Sequence, residues 1–448
     1  MFYREEEGQI EIETRNRRID IYCVGYIRKM SGFEQYFGQS GNGVWVAVLS
    51  VLVCSAVAFW LLFRASFHTI ASKAMVIEQE SSSWVSKGKR NGKMLYILAN
   101  PIGGDGNSVQ IYQQVLKPLL LQHEIDHKFI KTQYHGHPKE IALGVDPAKC
   151  SCLVLISGDG MVHEVMQGYA QRCGNDPIVL RKLFESVPLA LIPGGSSNGL
   201  SASFGSFDVY NACKALLNGN PQALDMTAIR FHSDGEEDSM VWDAHAFCFG
   251  AIADHDRLAE TKFRSYGTVI KGLLAPAAVI IMRREYDGVF QFLEATKADF
   301  PKKKAREFYS KSSVLNDVPH RKGWKQIDGK NISIAAFNTK WAATDAQCAP
   351  HSDRDSGTVD ILLIPAHQGI SRFQLLNIFL GFESGNHIKH PGVKMFRAKE
   401  WELSPNLPED ASKTTLDCSG EQYPLRNASG TVHKGLAKII GFPEELEE

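Results

Sequence analysis

The segment Ile156-Ser157-Gly158-Asp159-Gly160-Met161-Val162-His163-Glu164 decides the fold of this chain. The apolar run 152–155 before it predicts a buried strand, and the apolar residues at 162, 165, 166 and 169 have the spacing of a helix. Glycines on both sides of the carboxylate would let backbone amides approach a phosphate closely and would leave the acid unhindered. Taken alone, the segment predicts either a phosphate-binding turn or an ordinary tight turn.

Two further turns have the same layout. Asn100-Pro101-Ile102-Gly103-Gly104-Asp105-Gly106 follows the strand-like run 94–98, and Pro193-Gly194-Gly195-Ser196-Ser197-Asn198-Gly199 follows another apolar run. Because ligands bind at the carboxyl ends of parallel strands, we expect the three turns to lie together at one edge of a parallel sheet. Neither of these two turns has a Walker A lysine or a G-x-G-x-x-G pattern, so backbone amides and hydroxyls are expected to hold the phosphates.

In this order and spacing, the three motifs resemble the catalytic region of the diacylglycerol kinase and sphingosine kinase superfamily, whose pattern is NPxxG, then GGDG or SGDG, then PxGSxN. The likeness continues through Ala253-Asp254-His255-Asp256, which is similar to the segment of sphingosine kinases that receives the lipid head group. Near the end, Ser419-Gly420-Glu421 stands where that family has Asp-Gly-Glu. The resemblance covers residues 93 to 441, and the sphingosine kinases fit it best.

The resemblance implies an α/β fold, in which an N-terminal parallel-sheet nucleotide-binding domain is followed by a mainly antiparallel β-sandwich that binds lipid. Strand and helix patterns alternate up to residue 223 and strand patterns dominate afterwards, in agreement with this expectation. We therefore expect an N-terminal extension at 1–92, a catalytic domain of the diacylglycerol kinase type at 93–223 and a β-rich lipid-binding domain at 224–448. Within the extension, isoleucines at 10, 12, 19 and 21 predict a hairpin or a disordered segment, and 81–91 is typical of a linker.

The extension contains a hydrophobic run at 44–63, VWVAVLSVLVCSAVAFWLLF, which carries no charged residue. A helix of that length spans about 30 Å, the thickness of the bilayer hydrocarbon. A single membrane pass is the expectation, and a buried helix at a domain interface is the alternative. Since a kinase that uses ATP needs its catalytic region in the cytosol, we expect a membrane-associated protein with a cytosolic catalytic region. The alternative is a cytoplasmic protein.

The composition of the chain limits which binding partners and bound metals are expected. The chain of 448 residues has a net charge of −1, so it offers no basic field and nucleic acid is not an expected partner. Its nine cysteines are scattered, which predicts neither a disulfide framework nor a zinc site. A lipid substrate and a membrane are the expected partners, and the sequence leaves the oligomeric state open.

The resemblance also implies ATP and Mg²⁺ as cofactors. Phosphoryl transfer needs a group that accepts the proton of the attacking hydroxyl, and Asp159 is the candidate for this catalytic role. The residues expected to bind the nucleotide are Asn100, Pro101, Gly103, Gly104, Thr132, Ser157, Gly158, Gly160, Glu164, Gly195, Ser196, Asn198, Arg264, Gly420 and Glu421. Glu421 is also an expected Mg²⁺ ligand. Asp417 would join it if the loop bulges, because Cys418 and Ser419 separate Asp417 from Gly420.

Asp256 is the residue expected to select the substrate. Sphingosine carries a cationic amine beside its hydroxyls, and a carboxylate would pair with that amine. Diacylglycerol and ceramide lack such a cation. Asp254 is the second candidate for the same role, with a helix N-cap as its alternative. We therefore expect an ATP-dependent kinase for the primary hydroxyl of sphingosine or a related sphingoid base. The alternatives are a ceramide or acylglycerol kinase and a weakly catalytic, membrane-anchored lipid-binding protein.

Several other side chains have open roles. Arg264 would reach a phosphate or form an exposed ion pair, and Glu164 would support the nucleotide sugar, support a loop or have no role. His163 is more typical of a packing residue than of a general base. Lys271 is the nearest match to a second phosphate-binding basic residue of the family, but it is displaced in sequence. An apolar tunnel for the lipid tail, or simply core packing, would use Leu273, Leu274, Ala277, Val279 and Ile280.

Overall fold

A computed structural model describes residues 3–6, 9–14, 17–21, 77, 82–232, 238–296, 299–300, 309–311, 315–406 and 414–443. Residues 1–69 and residues 70–448 form two compact units. The expected membrane pass at 44–63 lies outside the described residues. Within the described part of the chain, no helix has the length and apolar character needed to cross a bilayer.

The first unit contains an antiparallel sheet of β1 (Tyr3–Glu6), β2 (Gln9–Thr14) and β3 (Arg17–Ile21). The register pairs Ile10 with Ile21 and Ile12 with Ile19. The hairpin predicted from these alternating isoleucines is therefore confirmed.

The first helix that the structure describes in the second unit is α1 (Trp84–Arg90), so the linker predicted at 81–91 is wrong. The hydroxyl of Ser83 accepts a hydrogen bond from the Ser86 backbone and caps the helix. The Trp84 indole donates to the Ser151 carbonyl at 2.7 Å, and Val85 is buried. A serine-rich composition concealed a capped helix that packs on the sheet.

The first half of this unit alternates parallel strands with helices. Strands β5, β4, β6 and β7 pair in that order, all parallel. The strands are β4 (Met94–Ala99), β5 (His127–Lys131), β6 (Cys150–Ser157) and β7 (Leu189–Pro193). The helices are α2 (Ser108–Ile111), a π-helical turn (Tyr112–Leu116), α3 (Lys117–Gln122), α4 (His137–Leu143), α5 (Asp159–Arg172), α6 (Pro177–Ser186), α7 (Gly199–Ser203) and α8 (Val209–Asn218).

Helices cover both faces of the parallel strands, and β6 shows why its sequence is apolar throughout. Leu153 and Leu155 pack in one core with α5 and α6. The alternate residues Val154 and Ile156 pack in a second core with α3 and α8. A strand that is buried on both faces is an uninterrupted apolar run, as the sequence predicted.

The second half of the unit is mainly antiparallel, and β18, β17, β10, β14, β15, β16 and β19 pair in that order. Its strands are β8 (Asn220–Phe231), β9 (Ser239–Asp243), β10 (Ala246–Gly250), β11 (Gly288–Glu294), β12 (Asn316–Asp317), β13 (Trp324–Ile327), β14 (Asn331–Phe337), β15 (Val359–Pro365), β16 (Lys394–Pro405), β17 (Thr415–Cys418), β18 (Glu421–Pro424) and β19 (Ala428–Gly441). Its helices are α9 (Ala251–Thr261), α10 (Gly267–Met282) and α11 (Arg372–Leu380). Short 3-10 turns lie at Arg264–Tyr266, Ala366–Gln368 and Asn386–Lys389.

Strand β19 joins the two halves. It pairs along its length with β8, and it also pairs with β16 and, through Ile439 and Leu189, in parallel with β7. Parallel and antiparallel strands therefore belong to one mixed sheet, and the expected boundary at 223/224 falls inside β8. The α/β architecture with a C-terminal β-sandwich is confirmed.

Candidate active site

The three glycine-rich turns, 100–106, 157–160 and 194–199, meet at the carboxyl ends of β4, β6 and β7, and we call them the glycine edge. A methyl group added at Gly195 would lie 2.2 Å from the Cα atom of Gly158. One added at Gly104 would lie 2.7 Å from the carbonyl carbon of Gly195. The turns are thus in backbone-to-backbone contact that a larger residue would prevent. The expected convergence of the three motifs is confirmed.

Asp159 lies at the centre of the glycine edge as the first residue of α5, and its exposed fraction is 9%. Its Oδ2 atom accepts a hydrogen bond from the Gly199 amide at 2.9 Å, and its Oδ1 atom accepts one from the Leu200 amide at 3.0 Å. These two bonds join the second turn to the third and fix the orientation of the carboxylate. The candidate base is therefore held rigidly.

Three predicted nucleotide-binding side chains form hydrogen bonds within the turns or at a strand end beside them. Asn198 has a left-handed backbone (φ 58°), and its side chain both accepts from and donates to the Gly195 backbone at 2.9 Å. Asn100 accepts from the Ile102 amide at 3.1 Å, and the buried Thr132 hydroxyl donates to the Ala99 carbonyl at 3.3 Å. These hydrogen bonds hold the local shape of the glycine edge.

Glu164 supports a loop, which is one of the roles left open by the sequence. Its carboxylate accepts a hydrogen bond from the Gly136 amide at 2.7 Å and lies 3.2 Å from Nδ1 of the exposed His135. Burial raises the pKa of Glu164 above its ordinary value. Glu164 thus connects α5 to the turn that precedes α4.

Glu421 comes to the glycine edge from the other half of the unit. It is the first residue of β18, after a two-residue turn in which Ser419 and Gly420 both have positive φ (54° and 85°). Its Oε1 atom lies 3.3 Å from the position that a Cβ atom would take on Gly160. The hairpin of β17 and β18 therefore holds this carboxylate directly above the motif that contains Asp159.

Asp417 does not meet the condition under which it was expected to bind a metal. The β17–β18 pairing runs in continuous register, with Asp417 opposite Gln422, so the loop forms a tight hairpin without a bulge. The Asp417 carboxylate is 2% exposed and accepts hydrogen bonds from the Gly420 amide at 3.0 Å and from the Gln422 side chain. Burial, and after it the negative charge of Asp256, raises its pKa well above the usual range. As a Mg²⁺ ligand Asp417 is a wrong prediction, because its oxygens are buried and already hydrogen-bonded.

Asp256 lies on α9, and a third of its side chain (33%) is exposed. Its Oδ1 atom is 3.0 Å from Nδ1 of His255. Its charge acts on the buried Asp417 of the β17–β18 hairpin. The carboxylate expected to bind an amine thus lies close to the hairpin that carries Glu421, and it is accessible.

Asp254 has a different environment. It is buried in the first turn of α9, whose N-cap is Gly250, so the predicted N-cap role is wrong. Its oxygens accept hydrogen bonds from Arg257 at 3.0 Å, from Arg284 at 2.9 Å and from the Tyr286 hydroxyl. Two guanidinium groups already balance its charge, and the carboxylate is not free to pair with a substrate amine.

Arg264 and Lys271, the two basic residues considered for phosphate binding, lie in different environments. Arg264 is 61% exposed and lies 3.7 Å from Glu260, which is the exposed ion pair offered as its alternative. Lys271 is largely buried on α10, and its Nζ atom lies 3.3 Å from the Ser196 hydroxyl and 2.5 Å from Glu260. Lys271 therefore brings a cation to the glycine edge. Lys271 reaches the glycine edge because of its place on α10, although in sequence it is displaced from the expected position of the second phosphate-binding residue.

Helices α9, α10 and α11 lie over β10, β14 and β15, and we call them the helical cover. They share an apolar core with the sheet, in which Ala278, Val279 and Ile280 of α10 pack with Leu375 and Ile378 of α11. Leu273 and Leu274 are half-buried. The residues proposed for a lipid-tail tunnel thus lie in or beside this core, and Asp256 lies at its border.

Comparisons with known proteins agree with this geometry. Residues 94–229 match the family model of the diacylglycerol kinase catalytic domain, and residues 314–440 match the YegS C-terminal NAD kinase beta sandwich-like domain. Sphingosine kinase 1 of Arabidopsis thaliana is 25% identical over 346 residues, which are 73% of this chain and 68% of that protein. Sphingoid long chain base kinase 5 of Saccharomyces cerevisiae is 36% identical over 429 residues, which are 79% of this chain and 60% of that protein.

The chain belongs to the diacylglycerol kinase and sphingosine kinase superfamily. It is accordingly a lipid kinase, a phosphotransferase that acts on an alcohol group. A crystal structure of a protein described as a diacylglycerol kinase, from Bacillus anthracis str. Sterne, superposes with a TM-score of 0.52. It is 16% identical and covers 79% of this chain and 96% of its own. That likeness shows that the two chains share a fold.

Proposed function

We propose that this lipid kinase transfers the γ-phosphoryl group of ATP to the primary hydroxyl of sphingosine or a related sphingoid base, giving sphingosine 1-phosphate or its analogue. The relatives reported above are named as kinases of sphingosine or of sphingoid long chain bases. The observation that carries the proposal is the accessible Asp256 carboxylate beside the β17–β18 hairpin.

Asp256 gives this arrangement its preference for an amine. A cationic head group would pair with the carboxylate, and such a charge-assisted hydrogen bond is about twice as strong as a neutral one. Ceramide and diacylglycerol carry no cation, so they would not form this pair.

Asp159 is the group proposed to accept the hydroxyl proton. A general base has to lie within hydrogen-bond reach of the proton that it removes. The amides of Gly199 and Leu200 fix the Asp159 carboxylate at the junction of the glycine-rich turns, close to the Glu421 side of the site. An acceptor held by Asp256 and a nucleotide held by the glycine edge would meet at this junction.

The glycine edge supplies backbone amides for the phosphates, and Lys271 supplies a cation beside Ser196. For Mg²⁺, no group of three or more His, Cys, Asp or Glu side chains is suitably placed in the described residues. Mg²⁺ commonly uses one or two carboxylates, with substrate phosphates and waters as its other ligands. Glu421 above Gly160 fits that pattern, and it would hold a Mg²⁺ ion that neutralises phosphate charge.

The proposal includes a membrane location, with residues 64–448 on the cytosolic side of a pass at 44–63. The chain offers a topology test in its two N-x-S sequons, at Asn331 and Asn427. Asn331 is buried within β14, whereas Asn427 is exposed just before β19. Expression in eukaryotic cells should leave Asn427 unmodified, and a glycan at Asn427 would contradict the cytosolic placement.

The proposed function is tested with the full chain in detergent micelles that contain labelled ATP, Mg²⁺ and one lipid at a time. The lipids are sphingosine, ceramide and diacylglycerol. We expect label on sphingosine alone. Asp159→Asn should lower kcat by about 100- to 10,000-fold, the usual contribution of general acid–base catalysis.

Asp256→Asn should lower kcat/KM for sphingosine by about tenfold or more and leave the KM for ATP unchanged, because a charge-assisted hydrogen bond contributes about 1.5–3 kcal/mol. Asp317→Asn is the matched control, since Asp317 is an exposed carboxylate that pairs with Lys325 on the sheet surface. Label on ceramide or diacylglycerol would keep the kinase and overturn the sphingoid base. Folded protein that labels none of the lipids would overturn the proposed activity.

A further inference from the structure

Asp243, at the end of β9, is a buried carboxylate that the proposed reaction does not use. It is 1% exposed. Its Oδ1 atom accepts a hydrogen bond from the Ser419 hydroxyl and lies 3.7 Å from Nδ1 of His163. Its Oδ2 atom accepts one from the His245 amide at 3.1 Å. These three neighbours belong to three separate parts of the active site.

The first neighbour, Ser419, forms the turn that presents Glu421. Ser419 has a left-handed backbone (φ 54°), which costs energy for a residue other than glycine. The hydrogen bond to Asp243 holds the turn in that conformation.

The second neighbour, His163, lies one helical turn after Asp159 on α5. Its Nε2 atom is 3.2 Å from the Tyr423 hydroxyl of β18. Its Nδ1 atom, the one facing Asp243, is buried and has no hydrogen-bond partner in the described part of the chain. His163 therefore connects α5, the helix that carries Asp159, to the β17–β18 hairpin, and Asp243 lies next to His163.

The third neighbour, His245, leads to the glycine edge. Its Nε2 atom is 3.3 Å from the Ala342 carbonyl, in the loop between β14 and β15. That loop packs on the third glycine-rich turn, because the Thr344 amide donates to the Ser197 carbonyl at 2.9 Å. A Cβ atom on Gly199 would lie 2.5 Å from the Ala342 carbonyl oxygen. Asp243 is thus connected through His245 to the loop that packs on the third glycine-rich turn.

We propose that Asp243 is a positioning residue that fixes the Glu421 hairpin, the Asp159 helix and the loop under the glycine edge in one arrangement. This inference rests on the proposed kinase activity. A buried carboxylate is costly unless it is hydrogen-bonded, and its neighbours here are neutral donors and an imidazole. Partners that orient groups around a metal typically change metal affinity or activity by about 10- to 100-fold when removed.

The test compares Asp243→Asn with Asp225→Asn in the full chain. Asp225 is a fully buried carboxylate that accepts the Gly357 and Gly435 amides at 2.6 Å, so it is a matched buried acid whose side chain bonds to residues outside the two measured segments. Hydrogen–deuterium exchange is measured on peptides that cover 414–424 and 339–346, without substrates. Asp243→Asn should speed exchange about tenfold in 414–424, because its hydrogen bond from Ser419 is weakened, and by a smaller factor in 339–346, which Asp243 reaches only through His245. Asp225→Asn should leave both unchanged.

Kinetics provide the second readout. Asp243→Asn should lower kcat about 10- to 100-fold and raise the Mg²⁺ concentration needed for half-maximal rate. Asp225→Asn should lower the melting temperature but keep kcat. Ser419→Ala removes one of the contacts, and its effect combined with Asp243→Asn should be smaller than the sum of the two, as expected for residues in contact.

Each outcome decides the inference. Equal exchange in Asp243→Asn and wild type, or additive effects of the two substitutions, would overturn it. If Asp243→Asn does not fold, Ser419→Ala alone should still speed exchange in 414–424, and an unchanged rate there would overturn it as well. Exchange does not depend on turnover, so a wild-type protein that fails to phosphorylate sphingosine would refute the proposed function separately.

Discussion

The glycine edge and the helical cover meet at the same site but are built in opposite ways. The glycine edge consists of backbone in contact with backbone, as the 2.2 Å approach at Gly195 shows. The helical cover consists of side chains in an apolar core, with Asp256 at its border. A nucleotide's phosphates are recognised by amides, which every residue carries, whereas a lipid head group is recognised by particular side chains. The first region is therefore sensitive to volume and the second to charge.

Helix α10 connects the two regions. It belongs to the helical cover, yet its Lys271 reaches Ser196 of the glycine edge. Glu260 of α9 holds the same ammonium group at 2.5 Å. If the glycine edge binds the nucleotide as proposed, a change on the helical cover would affect that binding through one side chain, while a change in the glycine edge would act on the nucleotide directly.

The largest effect should follow from volume added to the glycine edge. Gly195→Ala places a methyl group 2.2 Å from Cα of Gly158, so the two turns have to separate. A misplacement of about 1 Å can cost about 100-fold in rate, and we expect at least that loss in kcat/KM for ATP. In Gly144→Ala, the control, the added methyl group would lie 3.7 Å from its nearest neighbour. A Gly195→Ala enzyme with a normal KM for ATP would contradict the close packing of the turns.

The next effect concerns the stability of the helical cover. His387, after α11, is buried, and its Nε2 atom is 3.0 Å from the Cys348 carbonyl. Burial lowers its pKa from 6.5 to about 4. The unfolded chain thus binds a proton more readily, and stability should fall as the pH drops from 6.5 to about 4, by on the order of 3 kcal/mol at the acid end.

Melting temperatures between pH 4.5 and pH 7.5 check this prediction. His387→Gln should flatten the acid side of the curve, whereas the more exposed His232→Gln serves as a control that should preserve its slope. Equal slopes for His387→Gln and wild type would show that the acid sensitivity arises elsewhere.

The contrast between the two regions also explains what the sequence could predict. The meeting of the three glycine-rich turns was predicted because each turn is a short contiguous motif that follows a parallel strand. The positions of Lys271 and Asp243 could not be read in this way, because each depends on how distant elements pack. The resemblance offered Asp417 as a metal ligand on the condition that the loop bulges, but the hairpin register is continuous and buries it. The linker predicted at 81–91 failed because a cap at Ser83 outweighs a polar composition.

The third prediction tests the connection through α10. Lys271→Met retains an unbranched side chain one atom shorter and removes the ammonium group that lies 3.3 Å from Ser196. A hydrogen bond to a charged group contributes about 1.5–3 kcal/mol, so the KM for ATP should rise about tenfold or more while the KM for sphingosine stays the same. Lys262→Met, at an exposed position after α9, should change neither constant. An unchanged KM for ATP in Lys271→Met would show that the helical cover does not contribute to nucleotide binding through Lys271.

The smallest expected effect is a gain in stability from a glycine-to-alanine substitution on the helical cover. It contrasts directly with the loss expected from Gly195→Ala in the glycine edge. Gly272 lies on the exposed face of α10, and in the described residues a Cβ atom there would meet no heavy atom within 4 Å. Alanine is favoured over glycine in a helix by about 0.8–1 kcal/mol, so Gly272→Ala should raise the free energy of unfolding by up to that amount. Pro276 lacks the N–H that would bond the Gly272 carbonyl, which should reduce the gain. The same glycine-to-alanine exchange would then disable the glycine edge and stabilise the helical cover. A destabilised Gly272→Ala protein with normal kinetics would mean that α10 needs a flexible backbone at this turn.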